Sequence, residues 1–270
     1  MPYRLAGFAD EISADIQVQM DHLLDNDVKF CALRGANKKN VLDFESFQIP
    51  LLKQQFHNRG IKFSCIASPV GKSPLADPFE NEMQRFQVAC QRAKEFETRV
   101  IRVFAFRLPD ANHAAHRPEV VRRMKEFAQY AKEQGLNLLL EYHDGTYGDS
   151  ADRVAEVVAG VGLPNLMVAF DFANCVACGE DPLQAWGKLK AWTRDIHIKD
   201  HTGAANVPAG QGKGRIKEVL AEAFANNWMG MLTLEPHLTK APGLEGKSGP
   251  ELFKIAAEAL KRILAEIGAK

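Results

Sequence analysis

The chain has 270 residues, 46% of them hydrophobic and 25% charged, which is enough for one large core in a single α/β domain. Its 34 Lys plus Arg balance 34 Asp plus Glu, so no net field gathers nucleic acid or an anionic membrane, and a small or neutral partner is expected. No apolar run reaches transmembrane length, and the opening MPYRLAGFADEIS lacks both the apolar stretch and the small-residue cleavage site of a secretory signal, so a cytoplasmic location is expected.

Short β-branched or aromatic runs then alternate with stretches of helical period. YRLAGF (3–8) leads to a helix over 13–25 with a cap at Ser13, and VKFCALR (28–34) to one over 46–59 with a cap at Ser46. IKFSCIA (61–67) precedes a helix over 79–96, and RVIRVFAF (99–106) one over 117–134. LNLLLEY (136–142) is followed by a helix over 150–160 that opens at Ser150, and LMVAFDF (166–172) by one over 182–192 that opens at Asp181-Pro182. RDIHIK (194–199) and a helix over 214–227 form the seventh unit; GMLTLEP (230–236) and a helix over 249–267 form the eighth. Gly60, Gly135 and Gly230 stand just before strands, where helices end in a turn.

Eight β-then-α units with near-continuous apolar strands predict a single-domain (β/α)8 barrel of parallel strands over residues 1–270. An open doubly wound sheet has no support, because the first unit lacks G-x-G-x-x-G. The glycine-rich PAGQGKGR (208–215) resembles a phosphate cradle in composition only; without the GK[ST] ending it reads as a loop lining the mouth. Five cysteines at positions 31, 65, 90, 175 and 178 make no disulfide framework, and CVAC has no partner pair that would complete a zinc ribbon.

In such a barrel, chemistry comes from the C-terminal strand ends. Strand five ends in Glu141 with His143 beyond it, and strand six in Asp171 followed by Asn174. Strand seven carries His197, Lys199 and Asp200, and strand eight ends in Glu235 and His237. Taken singly, a strand-end acid is a cap or ion-pair partner and a strand His a core residue. Four successive strands delivering Glu141, Asp171, His197 and Glu235 to one rim are not independent accidents, and those groups repel unless a divalent cation sits between them. Three carboxylates and an imidazole suit Mn²⁺ or Mg²⁺, with Co²⁺ or Zn²⁺ permitted by the imidazole. Arg34, Lys72 and Arg102 are cations placed to hold a substrate carboxylate or phosphate.

The order Glu, Asp, His, Glu in the settings LEYH, FDFAN, IHIKD and LEPH resembles the xylose-isomerase-like TIM barrels, in particular the sugar phosphate isomerase/epimerase group. GFADEIS, ALRG, ASPVGKS and GEDPLQAW look like the same group, so the resemblance covers nearly the whole chain. It implies metal ligands at Glu141, Asp171, His197 and Glu235, with Glu141 and Glu235 also acting as the catalytic acid/base pair. Asn174 and Gly203 stand where many epimerases have a histidine and an arginine, so substrate contacts differ from theirs, and His143, Lys199, His201 and His237 are the candidates to replace them.

The expected function is therefore a divalent-metal-dependent isomerase or epimerase of a small sugar, sugar phosphate or sugar acid, working through a metal-stabilised enediolate. The alternative is a metal-dependent lyase, a decarboxylase or dehydratase of a keto sugar acid. Expected substrate contacts are Arg34, Lys72, Arg102, His143, Asn174, Lys199 and His237. Apurinic-site endonucleases share the fold, but they need extra histidines at the ends of strands two to four, where this chain has Arg34, Ser68 and Phe104–Phe106. No nucleic acid or membrane partner is expected, and the group's habit of pairing leaves room for a homo-oligomer.

Overall fold

The computed structural model describes residues 3–269. Eight parallel strands close into a barrel: β1 (Tyr3–Gly7), β2 (Phe30–Leu33), β3 (Lys62–Ile66), β4 (Val100–Val103), β5 (Asn137–Glu141), β6 (Leu166–Asp171), β7 (Thr193–Ile198) and β8 (Gly230–Leu234). Each pairs with its sequence neighbours, and β8 pairs with β1 to complete the ring. The predicted strand order and count match. β4 is shorter than expected, ending at Val103 rather than 106, because the amides of Phe104 and Phe106 turn to Val70 O at 2.9 Å and Gly71 O at 2.7 Å in the loop after β3.

The helices are α1 (Ile16–Asp25), α2 (Ile49–Asn58), α3 (Phe79–Glu95), α4 (His113–Glu133), α5 (Ala151–Val161), α6 (Phe172–Ala177), α7 (Pro182–Leu189), α8 (Ile216–Ala225) and α9 (Gly249–Glu266). All eight expected helices form, and the short α6, absent from the sequence reading, adds a turn directly after β6. Asp171 caps it by accepting the Asn174 amide at 2.8 Å. Ser150 and Asp181 cap α5 and α7 as expected. Asp15 replaces Ser13 as the α1 cap, and Gln48 rather than Ser46 precedes α2. Gly230 is no C-cap: Asn227 takes the left-handed turn, and a Cβ at 230 would lie 2.5 Å from Arg194 O.

Most of the core lies between strands and helices. A separate interior cluster of Phe8, Ala32, Cys65 and Ala67 packs inside the barrel. Ala32, Cys65 and Ala67 are small beside Phe8, and Thr233 Oγ1 donates to the buried Asp195 Oδ1 at 2.7 Å. Among the described residues no helix is long and apolar enough to cross a membrane.

The turn after β3 shows how tightly the loops at the mouth are specified. Gly71 has a φ of 84°, its amide donates to the buried Glu82 Oε1 at 2.6 Å, and a Cβ there would lie 2.0 Å from Phe104 O. Only glycine satisfies both demands. Gly71→Ala should therefore cost about 2–4 kcal/mol, against about 1 kcal/mol for Gly145→Ala, whose φ of 72° is similar but whose Cβ would meet nothing within 4 Å. Urea midpoints at unchanged m-value check the difference. Equal costs would show that the Phe104 contact relaxes freely.

Candidate metal centre

Residues of like parity on a strand face the same side, so the barrel interior receives Glu141 from β5, Asp171 from β6 and His197 from β7, with Glu235 just past the end of β8. Registration aligns them: Asp171 stands opposite His197, and His197 opposite Thr233, two residues before Glu235. One donor atom from each of Glu141, Asp171, His197 and Glu235 lies within 4.8 Å of every other, and all four residues are buried.

The protein offsets this buried negative charge with its own cations. Arg102 Nη1 lies 3.0 Å from Glu141 Oε2, Lys199 Nζ donates to Asp171 Oδ2 at 3.0 Å, and Arg34 Nη1 donates to Glu235 Oε1 at 2.9 Å. Burial alone would push the Glu141 carboxyl up, but Arg102 and His197 hold it below the ordinary carboxylate value. Burial likewise opposes ionisation of Glu235, and Lys199 and His197 overcome it, leaving it well below. Burial would keep the His197 ring neutral, yet Glu141 and Glu235 raise its pKa to about 9. Positive charge beside these carboxylates is thus favoured.

The donor set fits a divalent ion. Glu141 Oε2, His197 Nδ1 and Glu235 Oε2 are buried without a well-aligned hydrogen bond, an arrangement that is costly unless something else occupies their lone pairs. Three carboxylate oxygens and one imidazole nitrogen match hard or borderline ions.

A cavity of about 130 Å³ opens onto this cluster. Its wall includes Arg34, Lys72, Arg102, His143, Lys199 and His237, six of the seven expected substrate contacts. Asn174 is absent from the wall: its side-chain amide donates to Tyr142 O at 3.0 Å and Glu141 Oε1 at 3.5 Å. Arg34 is on the wall but heavily committed, with Nε on Asp10 at 2.7 Å and Nη2 on Glu11 at 3.1 Å besides its contact with Glu235. His237 Nε2 lies 2.9 Å from Glu11 Oε1, and its amide donates to Glu11 Oε2 at 2.8 Å.

Arg102 is held between two rings, 5.2 Å from the Phe8 centroid and 4.9 Å from Phe104, and its buried Nε has no hydrogen-bond partner. Lys72 Nζ lies 4.2 Å from the centroid of the same Phe104 ring, and burial lowers its pKa to about 8. His143 meets Phe104 edge-on at 4.9 Å, its Nδ1 stands 2.5 Å from Asp144 O, and burial lowers its pKa. The sequence reading missed Asn40, which reaches the wall from a two-residue hairpin after β2, and the Asp10–Glu11 pair that holds Arg34. The GFADEIS stretch contained the signal for that pair. A larger cavity of about 620 Å³, lined by Leu5, Phe30 and Leu264 among others, includes the Asp27–Lys261 ion pair but no convergent ligands.

Comparison with known proteins places this geometry in context. The model of the xylose isomerase-like TIM barrel family matches residues 25–263. The chain is 28% identical over 131 residues to a 3-dehydroshikimate dehydratase of Bacillus anthracis, a match spanning 48% of this chain and 47% of that relative, about half its length. The solved structure of a probable 3-DHS dehydratase of the same organism superposes with a TM-score of 0.77 at 20% identity, covering 97% of this chain and 99% of that one. A D-tagatose 3-epimerase-like protein gives 0.78 at 16% identity over 98% of both chains. The IolI protein solved with a bound zinc atom gives 0.79 at 16% identity, over 97% of this chain and 98% of that one.

If the four donors hold a divalent ion, Mn²⁺ at about 100 times its Kd should stabilise the fold by about 2.7 kcal/mol, and EDTA should reverse this. Asp171→Asn should still fold and lose most of the response, measured as the melting temperature with and without Mn²⁺. A wild-type melting temperature indifferent to both additions would remove the ion from this site.

Proposed function

The chain belongs to the xylose isomerase-like TIM barrel family, and on that premise we propose that it is a divalent-metal-dependent lyase that dehydrates a small carboxylated keto compound of the 3-dehydroshikimate kind. The observation that carries this reading is the cavity wall, where Lys72, Arg102 and Lys199 face the same 130 Å³ as the ligand cluster. With a divalent ion in place, that ion, Arg34, Arg102 and Lys199 balance the three ligand carboxylates together with Asp10 and Glu11, and Lys72 on the wall leaves one positive charge in excess. A neutral ketose leaves that excess buried and unanswered; a carboxylate neutralises it. The curated relative with dehydratase activity supports the same reading.

Glu141, Asp171, His197 and Glu235 would hold the ion, which when bound polarises a substrate carbonyl or hydroxyl and stabilises negative charge developing on its oxygen. Lys72, held over the Phe104 ring, orients the substrate carboxylate, and Lys199 and Arg102 add charge beside it, Arg102 being fixed by Glu141 and by the donation of its Nη2 to Ala67 O at 3.1 Å. Glu141 and Glu235, which the sequence reading assigned as the acid/base pair, are tied to Arg102 and Arg34 and are poor proton acceptors in that state. His143 is the free base. Its Nδ1 faces a carbonyl oxygen that can only accept, so Nδ1 carries the proton and Nε2 keeps its lone pair. His143 takes the proton from the carbon beside the carbonyl; the electron pair left behind then expels the hydroxyl of the next carbon, which leaves as water by taking up the proton His143 now carries.

An epimerase remains the second reading, because Glu141 and Glu235 stand at the two ends of the ligand arc, β5 to β8, as a two-face proton exchange requires.

Incubation of the Mn²⁺-loaded protein with 3-dehydroshikimate and a panel of neutral ketoses, followed by NMR, separates the two. We expect loss of one water from the acid and no turnover of the ketoses; epimerised ketose with no dehydration overturns the lyase reading. His143→Gln should lower kcat by about 10²–10⁴ with Mn²⁺ affinity intact, whereas Glu141→Gln should lower activity and metal affinity together. The reverse pattern would return proton transfer to the glutamates.

A further inference from the structure

The glycine-rich stretch PAGQGKGR has no part in the proposed chemistry, yet its amides converge on one atom group. Gly210 N and Gly212 N donate to Asp200 Oδ2 at 2.9 and 3.0 Å, and Gly214 N donates to Asp200 Oδ1 at 2.8 Å. The amide of His201 adds a fourth bond, to Oδ1 at 2.8 Å. Amides converging on one anion make the kind of nest that binds phosphate elsewhere; here they come from alternate residues of the loop, and the chain's own carboxylate, fully buried, fills it. The glycines are required by close approach. A Cβ at 212 would lie 2.3 Å from Asp200 Oδ1 and 2.6 Å from His201 O, and one at 214 would lie 2.7 Å from the same carboxylate oxygen.

Asp200 directly follows Lys199, and adjacent side chains of an extended chain point to opposite sides. While Asp200 is gripped by the loop, the Lys199 ammonium sits 3.0 Å from Asp171 Oδ2 and 3.8 Å from Glu235 Oε2. Lys199 itself is buried. The long, flexible lysine stem would otherwise sample many rotamers, so its aim depends on a fixed backbone beneath it.

We infer that Asp200 is a positioning residue: the amide nest of the 201–214 loop fixes the backbone from which Lys199 reaches the ligand carboxylates Asp171 and Glu235. The loop read as a lining of the mouth is thus an anchor for the site, and Asp200 is not itself a ligand. The consequence for metal affinity rests on the metal reading of the cluster; the placement of Lys199 does not.

Two measurements test this on the full chain. The first is lysine labelling with acetic anhydride read by mass spectrometry, with the exposed Lys254 as reference. Lys199 should be unreactive in the wild type and gain about tenfold or more in Asp200→Asn, which removes the charge and one acceptor oxygen. Gly214→Ala, which crowds the nest and leaves Asp200 charged, gives the same readout where Asp200→Asn does not fold. If amide exchange rises in 210–214 while Lys199 stays protected, Asp200 holds only its loop and the inference is overturned. The second is the Kd for Mn²⁺ in a double-mutant cycle with Lys199→Met. Asp200→Asn should weaken Mn²⁺ about 10–100-fold alone and add nothing in the Lys199→Met background. Independent, multiplying effects overturn the route through Lys199. A wild type that binds no Mn²⁺ removes the metal reading and leaves the labelling to decide the role of Asp200.

Discussion

Three carboxylates buried within a few ångströms of one another are the constraint to which the rest of this structure answers. Glu141, Asp171 and Glu235 are each almost inaccessible to water, and each is met by a different cation drawn from a different strand end. Arg102 comes from β4, Lys199 from just beyond β7, and Arg34 from just beyond β2. These cations reduce the repulsion without filling the lone pairs at the centre, and His197 is driven towards its protonated form to complete the balance. An arrangement that stores so much unsatisfied polar character costs stability, and function is the usual reason for keeping it.

Rigidity around that cluster comes from side-chain and loop contacts as well as from the barrel strands. The Arg102 guanidinium is held between Phe8 and Phe104, while the Gly71 turn brings Lys72 over Phe104. Asp10 and Glu11 on the first loop hold Arg34, which holds Glu235, and Glu11 also receives His237. The 201–214 loop closes on Asp200. Each device joins an element distant in sequence to one of the four clustered side chains, so their positions are set by contacts that no single βα unit supplies.

The same network bears on reaction class. A proton-transfer group needs a free lone pair near the operating pH, whereas a metal ligand needs to stay ionised. Cations tied to Glu141 and Glu235 favour the second role, and the orientation of His143 by Asp144 O favours the first. Position on the barrel rim does not distinguish the two roles, which is why a strand-end acid and a residue two places further along exchange functions between the two readings.

Much was legible in the sequence. Alternating apolar runs and amphipathic segments determined eight strands, the order of the elements and a closed barrel, because each depends on side-chain periodicity within a few residues. The same alternation, carried to the strand ends, singled out Glu141, Asp171, His197 and Glu235, since strand order converts directly into a position on the rim. What only the tertiary structure decided is partnership. That Arg34 is spent on Asp10, Glu11 and Glu235, that Asn174 supports Glu141 from off the cavity wall, and that the glycine-rich loop grips Asp200 all depend on distances between residues far apart in the chain. Periodicity tells which side of a strand a charge occupies; which opposite charge reaches it is fixed only when the barrel closes and the loops fold over its mouth.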